Sequence, residues 1–458
     1  VRRVHPALSS GDLPAIPLHL LTRTAWAAQA GTLPAPVQRY LSSLGFAGQE
    51  GEFALVPDAE GAVSSVFFGL GENADPRLPM ALSARLPPGD YRLAEPDGEV
   101  KEPVFAQLFA EGTYRFTRYS PRRTAPPRLI LNDPALLTEA SALAHACDLL
   151  RDLVNTPAAD MGPSAMESAA REVSEAHGAA LSVIIGDDLL AQNYPMIHAV
   201  GRAATEAPRL LELVWGDPAH PTLALVGKGV SFDSGGLNIK PATGMRDMKK
   251  DMGGAAHALA LAQLVMSLNL PVRLVLLIPA VENAISGNAF RPGDVLNSRK
   301  GTRVEIDNTD AEGRLILADA LTRAQEHSPE LLMDFATLTG AARVALGPDL
   351  APYYTDDADL AAALEVGALT ASDPVWRMPL WKPYTAELKS SVCELVNSGG
   401  PMAGSVTAAL FLQHFVSMKS WLHFDIWAWR QARYGRPAGA AACGLRASWD
   451  LLKLRFTP

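Results

Sequence analysis

A chain of 458 residues is long for a single hydrophobic core, so two domains are expected. Hydrophobic residues at 48% and charged residues at 19% describe an ordinary folded globular protein. A net charge of −9 argues against a general nucleic-acid surface, and three scattered cysteines (Cys147, Cys393, Cys443) suggest neither a disulfide framework nor a Cys-type zinc site.

The opening stretch VRRVHPALSSGDLPAIPLHLL lacks the apolar core of a signal peptide, and no apolar run is long enough to cross a membrane. A cytoplasmic protein with no membrane partner and no nucleic-acid partner is the expectation. The first hundred residues are rich in Pro and Gly and offer short strand candidates such as SSVFFGLG (64–71). The proline-broken PRRTAPPR (121–128) predicts a domain boundary. After it, PALLTEASALAHACDLLRDLVN (134–155) repeats apolar residues at helical spacing and predicts a long connecting helix, which TPAADMGP (156–163) ends. The predicted organisation is a smaller N-terminal domain over 1–128, a connecting helix over 129–155 and a C-terminal domain over 156–458.

Beyond that helix, short apolar runs alternate with helical ones. RLLELVWG (209–216), TLALVGKG (222–229), VRLVLLIPAVEN (272–283), LLMDFATLTG (331–340) and WLHFDIWAW (421–429) all predict buried strands. Their hydrophobicity is continuous rather than alternating, as a sheet covered on both faces requires. The fold class is therefore α/β, with a largely parallel sheet covered by helices. In such sheets ligands bind beyond the carboxyl ends of the strands. The unusual polar residues follow the apolar runs here, so several motifs are expected to meet along one edge.

Within those motifs, VGKGVSFDSGGLNIK (226–240) carries Lys228, Asp233 and Lys240. It lacks the glycine-then-Lys-Ser/Thr order of a phosphate loop. FDSGG looks like the nucleophile run of chymotrypsin-like proteases, but the α/β pattern contradicts their all-β fold. MRDMKKDMGGAAHALALAQLVMSLN (245–269) predicts a helix whose first turns carry Asp247 and Asp251. An acid there complements the helix dipole, which accounts for Asp247. Asp251 is followed by Gly253 and Gly254, which let another backbone approach. His257 has no second histidine at ligand spacing and reads as a packing residue. In NTDAEGRL (308–315), Asp310, Glu312 and Arg314 lie between a strand-like run, TRVEID (302–307), and a helix-like run, LILADALTRAQEH (315–327).

Four acids, Asp233, Asp251, Asp310 and Glu312, are thus expected in one pocket without a His or Cys cluster. They can share a desolvated site only if cations neutralise them. Two divalent metals bridged by carboxylates would do so, activating a water and polarising a carbonyl or phosphoryl oxygen. The residues alone indicate a two-metal hydrolase and leave phosphate esters and peptides both open.

NTDAEGRL matches the signature of the leucyl aminopeptidase family, the hexameric di-metal cytosolic aminopeptidases. KGVSFDSGGLNIKP, MKKDMGGAA, SGNAFRPGDVL, DFATLTGA and NSGGPMAGSVTAALFL resemble the same family in the same order. The resemblance implies a catalytic di-metal peptidase domain, a smaller N-terminal α/β domain, a homohexamer, and hydrolysis of N-terminal residues from short peptides by a water bridging two ions, manganese or zinc. It implies Lys228, Asp233, Asp251 and Glu312 as ligands of one metal, and Asp233, Asp310 and Glu312 as ligands of the other. Lys240 would stabilise the oxyanion. Arg314, with Ala311, Gly313 and Leu338, would seat a bicarbonate acting as general base, Gly313 leaving room for it. Met248, Thr337 and Gly340 would line the pocket for the first side chain. Two stretches depart from the family. IWAW (426–429) puts tryptophans where a small residue is usual, with buried packing expected of them, and GAAACGLR (439–446) lacks an expected aromatic. The preferred first residue is left open by both.

Overall fold

The computed structural model describes residues 3–457 except 73, 74, 76, 95–99, 122, 123 and 434–436. Val1 and Arg2 of the opening stretch, and Arg122 and Arg123 of the expected boundary stretch, therefore lie outside the described residues. Two compact units divide the chain: Val1–Asp148 with Gln431–Ala438, and Leu149–Arg430 with Gly439–Pro458. The division falls inside the helix Pro134–Asn155, whose limits match the apolar periodicity of its sequence.

The first unit is an α/β layer built on a six-stranded sheet. In spatial order its strands are Leu8–Ser10, Arg128–Leu131, Asp90–Leu93, Ile16–Leu21, Val63–Gly69 and Phe53–Pro57. Every pairing is parallel except that of Phe53–Pro57 with Val63–Gly69. Leu18, Val66, Phe68, Tyr91 and Leu129 pack with Phe105 and Phe109 of the helix Glu102–Gly112 in one core. Most of this sheet was not legible, because its strands are short and interrupted by Pro and Gly.

The second unit carries a nine-stranded sheet, labelled here in chain order: β1 Ala180–Ile185, β2 Arg209–Trp215, β3 Thr222–Gly227, β4 Gly229–Asp233, β5 Arg273–Asn283, β6 Leu331–Ala336, β7 Ala351–Tyr354, β8 Val375–Arg377 and β9 Trp421–Asp425. The spatial order is β8-β7-β9-β6-β3-β5-β2-β1, with β4 pairing β5. The central strands β9, β6, β3 and β5 run parallel. β2 and β1 are antiparallel at one edge, and β7 enters antiparallel to β9. The sheet is thus mixed, with a parallel centre.

Helices cover both faces of that centre. Ala224 and Val226 of β3 and Leu332 and Ala336 of β6 pack against Leu315, Leu317, Ala318 and Leu321 of α2 (Gly313–Gln325). The other face holds α1 (Gly253–Ser267), whose His257 stacks on Phe335 of β6. Full burial of such Leu and Val side chains contributes about 1.5–3 kcal/mol each. Leu317→Ala, in the middle of α2, would cost about 2–5 kcal/mol by leaving a cavity.

Two expectations are corrected. The residues 245–269 do not form one helix: Met248–Met252 is a 3₁₀ turn and α1 begins only at Gly253. Asp251 therefore sits in the tight turn ahead of the α-helix. Gly254 lies in the first turn of α1. A Cβ there would lie 2.1 Å from Phe335 O and 2.8 Å from Lys228 N, so the helix can meet the sheet only without a side chain. Residues 229–233, read as part of a glycine-rich loop, form β4 on the edge of β5.

Candidate active site

The strand ends deliver the polar residues. β3 ends at Gly227 and leads to Lys228, β4 ends on Asp233, β6 leads to Thr337, and β9 ends on Asp425. The 3₁₀ turn brings Asp251, and the chain between the short strand Arg303–Glu305 and α2 brings Asp310 and Glu312. A cleft of about 660 Å³ is lined by Lys228, Asp233, Lys240, Met248, Lys250 and Asp251, by Asp310, Ala311, Arg314, Thr337, Leu338 and Gly340, and by Trp427.

Carboxylate oxygens of Asp233, Asp310 and Glu312 lie within 4.8 Å of one another. Lys228 Nζ sits 2.7 Å from Asp251 Oδ2 and 3.0 Å from Glu312 Oε1, and donates to Thr337 O at 2.9 Å. Lys240 Nζ is 2.9 Å from Asp233 Oδ2 and pairs with Asp310. Burial opposes charge on both lysines, but the surrounding carboxylates outweigh it and hold both well above the usual lysine range. Burial and the Asp233 charge raise Glu312 to about 8 and Asp310 to about 6. Asp251 is also opposed by burial, yet Lys228 and Lys250 keep it low. Repelling acids held this close ask for more positive charge than the lysines alone bring.

Asparagine and threonine side chains hold the loops in register. Asn283 Nδ2 donates to Asp233 Oδ1 at 2.8 Å and to Thr309 O at 3.1 Å. Thr309 Oγ1 donates to Gly235 O at 2.6 Å and accepts the Asn238 N–H at 2.8 Å, while Asn238 Oδ1 accepts the Thr309 N–H at 2.9 Å. Asn397 is fully buried, accepts the N–H groups of Asp307 and Asn308, and donates to Asn308 O and Ala311 O. Arg314 Nη1 donates to Asn397 O at 2.8 Å, and its buried Nε has no hydrogen-bond partner. Burial pulls Arg314 down to about 10.

Thr337 Oγ1 lies 2.8 Å from Asp251 Oδ1 and orients that carboxylate. Asp425 Oδ1 accepts the N–H groups of Leu338 and Thr339, and Oδ2 accepts the Thr339 hydroxyl at 2.6 Å, which fixes the turn before α3 (Gly340–Leu346). At Gly340 the added Cβ would meet open space on the cleft side of that turn. At Gly313 a Cβ would lie 2.4 Å from Lys228 Cε, so the missing side chain makes room for the lysine.

Every residue singled out from the sequence for this site lines the cleft or lies against a residue that does. His257 is a packing residue, as expected. Its Nδ1–H donates to Gly253 O at 2.6 Å and its Nε2 accepts the Cys443 N–H, with burial lowering it to about 4. The Ser234 hydroxyl donates to Asn283 O at 2.7 Å, a turn role with no histidine beside it. Sequence reasoning missed Asn238, Asn283, Thr309, Asn397 and Asp425, whose partners are distant in the chain. It also missed Lys250. Trp429 is buried as expected, but Trp427 is half-buried and lines the cleft, so only one of the two tryptophans is core.

Buried carboxylates interleaved with lysines beyond the ends of parallel strands define an α/β metallohydrolase. Residues 148–448 match the family model described as the cytosol aminopeptidase family, catalytic domain, and residues 16–132 match the M17 aminopeptidase N-terminal domain. The chain belongs to the cytosol aminopeptidase family and is a metal-dependent aminopeptidase. It is 36% identical over 449 residues to a "Probable cytosol aminopeptidase" of Syntrophotalea carbinolica, covering 90% of each chain. The crystal structure of the cytosol aminopeptidase of Coxiella burnetii superposes with a TM-score of 0.92 at 44% identity, over 98% of this chain and 99% of that one. The bottromycin maturation enzyme BotP, solved in complex with Mn, gives 0.85 at 33% identity, over 97% and 100%. Among the described residues no helix is long and apolar enough to cross a membrane.

Proposed function

We propose that this aminopeptidase works with two divalent ions seated in the cluster described above. Lys228, as a neutral amine, would hold the first with Asp233, Asp251 and Glu312. Asp233, Glu312 and Asp310, the last also through its backbone carbonyl, would hold the second. The observation that carries this reading is the convergence of Asp233, Asp310 and Glu312, with the buried Asp251 held beside them through Lys228. Oxygen-rich ligands suit manganese and the lysine nitrogen suits zinc, and the manganese complex of BotP supports the former. When bound, the ions would supply Lewis acidity for the scissile carbonyl, a water of lowered pKa and an anchor for the free amine of the peptide.

The chain's own groups do the rest. Asp233, at the end of β4, and Glu312, at the N-terminus of α2, would serve both ions. Lys240, paired with Asp233 and Asp310, presents an ammonium where negative charge develops on the carbonyl oxygen. Arg314, whose buried Nε has no partner among the described residues, and the neighbouring Ala311, Gly313 and Leu338 would hold a bicarbonate, which when bound would supply a general base. Met248, Thr337 and Gly340 form the wall against which the first side chain rests. A homohexamer in the cytoplasm completes the proposal on the likeness to cytosol aminopeptidases.

The test is hydrolysis of leucinamide and a dipeptide panel by chelator-stripped protein, before and after adding manganese or zinc, with an amino-blocked peptide as control. Activity should return with metal and only on unblocked peptides. Turnover of the blocked peptide at the same rate, or metal-independent turnover, would overturn the reading. Light scattering of the eluted protein at six times the chain mass would support the hexamer, and a monomer mass would remove it.

A further inference from the structure

One flank of the cleft carries positive charge that the di-metal site does not use. Lys250, in the 3₁₀ turn Met248–Met252, is 2% exposed and lines the cleft. Its Nζ lies 3.8 Å from Asp251 Oδ1, beyond hydrogen-bond distance, and that oxygen is already engaged by Thr337. The same ammonium sits 4.0 Å from the centroid of the Trp427 ring. The Arg343 guanidinium lies 4.2 Å from that centroid. The backbone around Trp427 is held firmly: Ile426 N–H donates to Ala336 O, Ala441 N–H donates to Ala428 O, and Ala428 has φ 57°. Lys250 and the indole therefore line the cleft together with Met248, Thr337 and Gly340, while Arg343 lies against the same ring.

A largely buried ammonium whose nearest carboxylate oxygen is 3.8 Å away gains from a closer acceptor, and a large aliphatic ligand beside it would only desolvate it further. A short side chain ending in a carboxylate would do the opposite, placing an acceptor at hydrogen-bond distance beside the indole. Resting on the aminopeptidase reading above, we infer that the preferred substrates are peptides whose first residue is acidic, glutamate or aspartate, with Lys250 reading the carboxylate and Trp427 shaping its seat.

The test compares glutamyl and glutaminyl amides, which share shape and differ in charge, on the metal-loaded enzyme. The ratio of their kcat/KM values should favour glutamate by about tenfold or more, the scale of one charge-assisted hydrogen bond. It should fall to about one in Lys250→Met, whose metal content by elemental analysis should match the parent. Calorimetry with free glutamate and glutamine should give the same order of binding and the same loss in the variant. Equal or faster turnover of the glutaminyl amide, or an unchanged ratio in Lys250→Met, would overturn the inference while leaving an aminopeptidase. Failure of all unblocked substrates, leucinamide included, would instead remove the aminopeptidase reading and this inference with it.

Discussion

The two halves of the carboxylate cluster differ in how far they are shut off from water. Around Lys228 the side chains of Lys228, Asp251 and Glu312 are 3%, 3% and 1% exposed. Around Lys240 the corresponding figures are 15% for the lysine and 31% for Asp310. The inner half is built on the sheet centre and the first turn of a packed helix, the outer half on loops stitched by Asn238, Thr309 and Asn283. Electrostatics are strong in the inner half because water is excluded, and exchange is easier in the outer half because it is not. If two ions bind as proposed, the inner one should be held more tightly and the outer one should exchange more readily.

The largest expected effect comes from removing the residue common to both halves. Glu312→Ala should lower kcat/KM by about 10³-fold or more, equivalent to several kcal/mol of transition-state stabilisation, while circular dichroism stays native. Retained turnover at full metal content would erase the idea of a shared ligand. Next come substitutions that separate the halves. Asp251→Asn should deplete the tightly held ion, whereas Asp310→Asn should weaken only the exchangeable one. Titration of metal into stripped protein, read by calorimetry, distinguishes these, and identical isotherms would mean that burial does not set the order.

A smaller effect is expected from the stitches. Asn283→Ala and Asn397→Ala should each cost about 10–100-fold in metal affinity or activity, the range for residues that orient ligands. Asn283 acts on Asp233, which both halves use, so its loss should be felt on both ions. Addition of both parent and variant to a chelator competition would show an unchanged affinity if the hydrogen bonds were incidental.

How much of this was readable in the chain depends on how local each signal is. The helix Pro134–Asn155 and the strands of the sheet centre were legible because their apolar patterns are self-contained. The acids were legible because Asp233, Asp310 and Glu312 sit in distinctive polar runs directly after apolar ones and Asp251 stands just before a Gly–Gly pair at the start of an apolar helix. Asn397 was not, since its meaning lies in contacts with residues some ninety positions away. The 3₁₀ turn at Met248–Met252 was not, because no local signal separates it from the helix that follows. Trp427 and Lys250 face one another across 177 positions (427 minus 250), and neither is unusual alone.

The smallest prediction uses the scaffold as a control for the site. Glu212 on β2 meets Arg323 of α2 at 2.8 Å and His327 at 3.0 Å. Burial would raise its pKa, but the hydrogen bonds from His327 and Arg323 outweigh this and bring it down to about 2. A depressed carboxylate stabilises the fold above its unfolded value of about 4.5, and that contribution fades as pH falls through the folded value. Glu212→Gln should therefore lose about 1–2 kcal/mol at neutral pH, after allowance for partial exposure, with the difference from the parent shrinking below pH 4.5. Denaturant melts across pH would reveal a constant difference if the pair were not responsible. Turnover per folded molecule should be the same in both proteins.

The spread of the ligating residues along the chain also bears on how the molecule comes into being. Lys228, Asp251 and Glu312 are brought together only when β3, β6 and α1 have docked, because the backbone of Gly254 must first reach Phe335 and Lys228. Contacts so distant in sequence form late and slowly. During synthesis the acids of the cluster emerge before their neighbours from β6 and β9 exist, so the arrangement described here is completed late in folding.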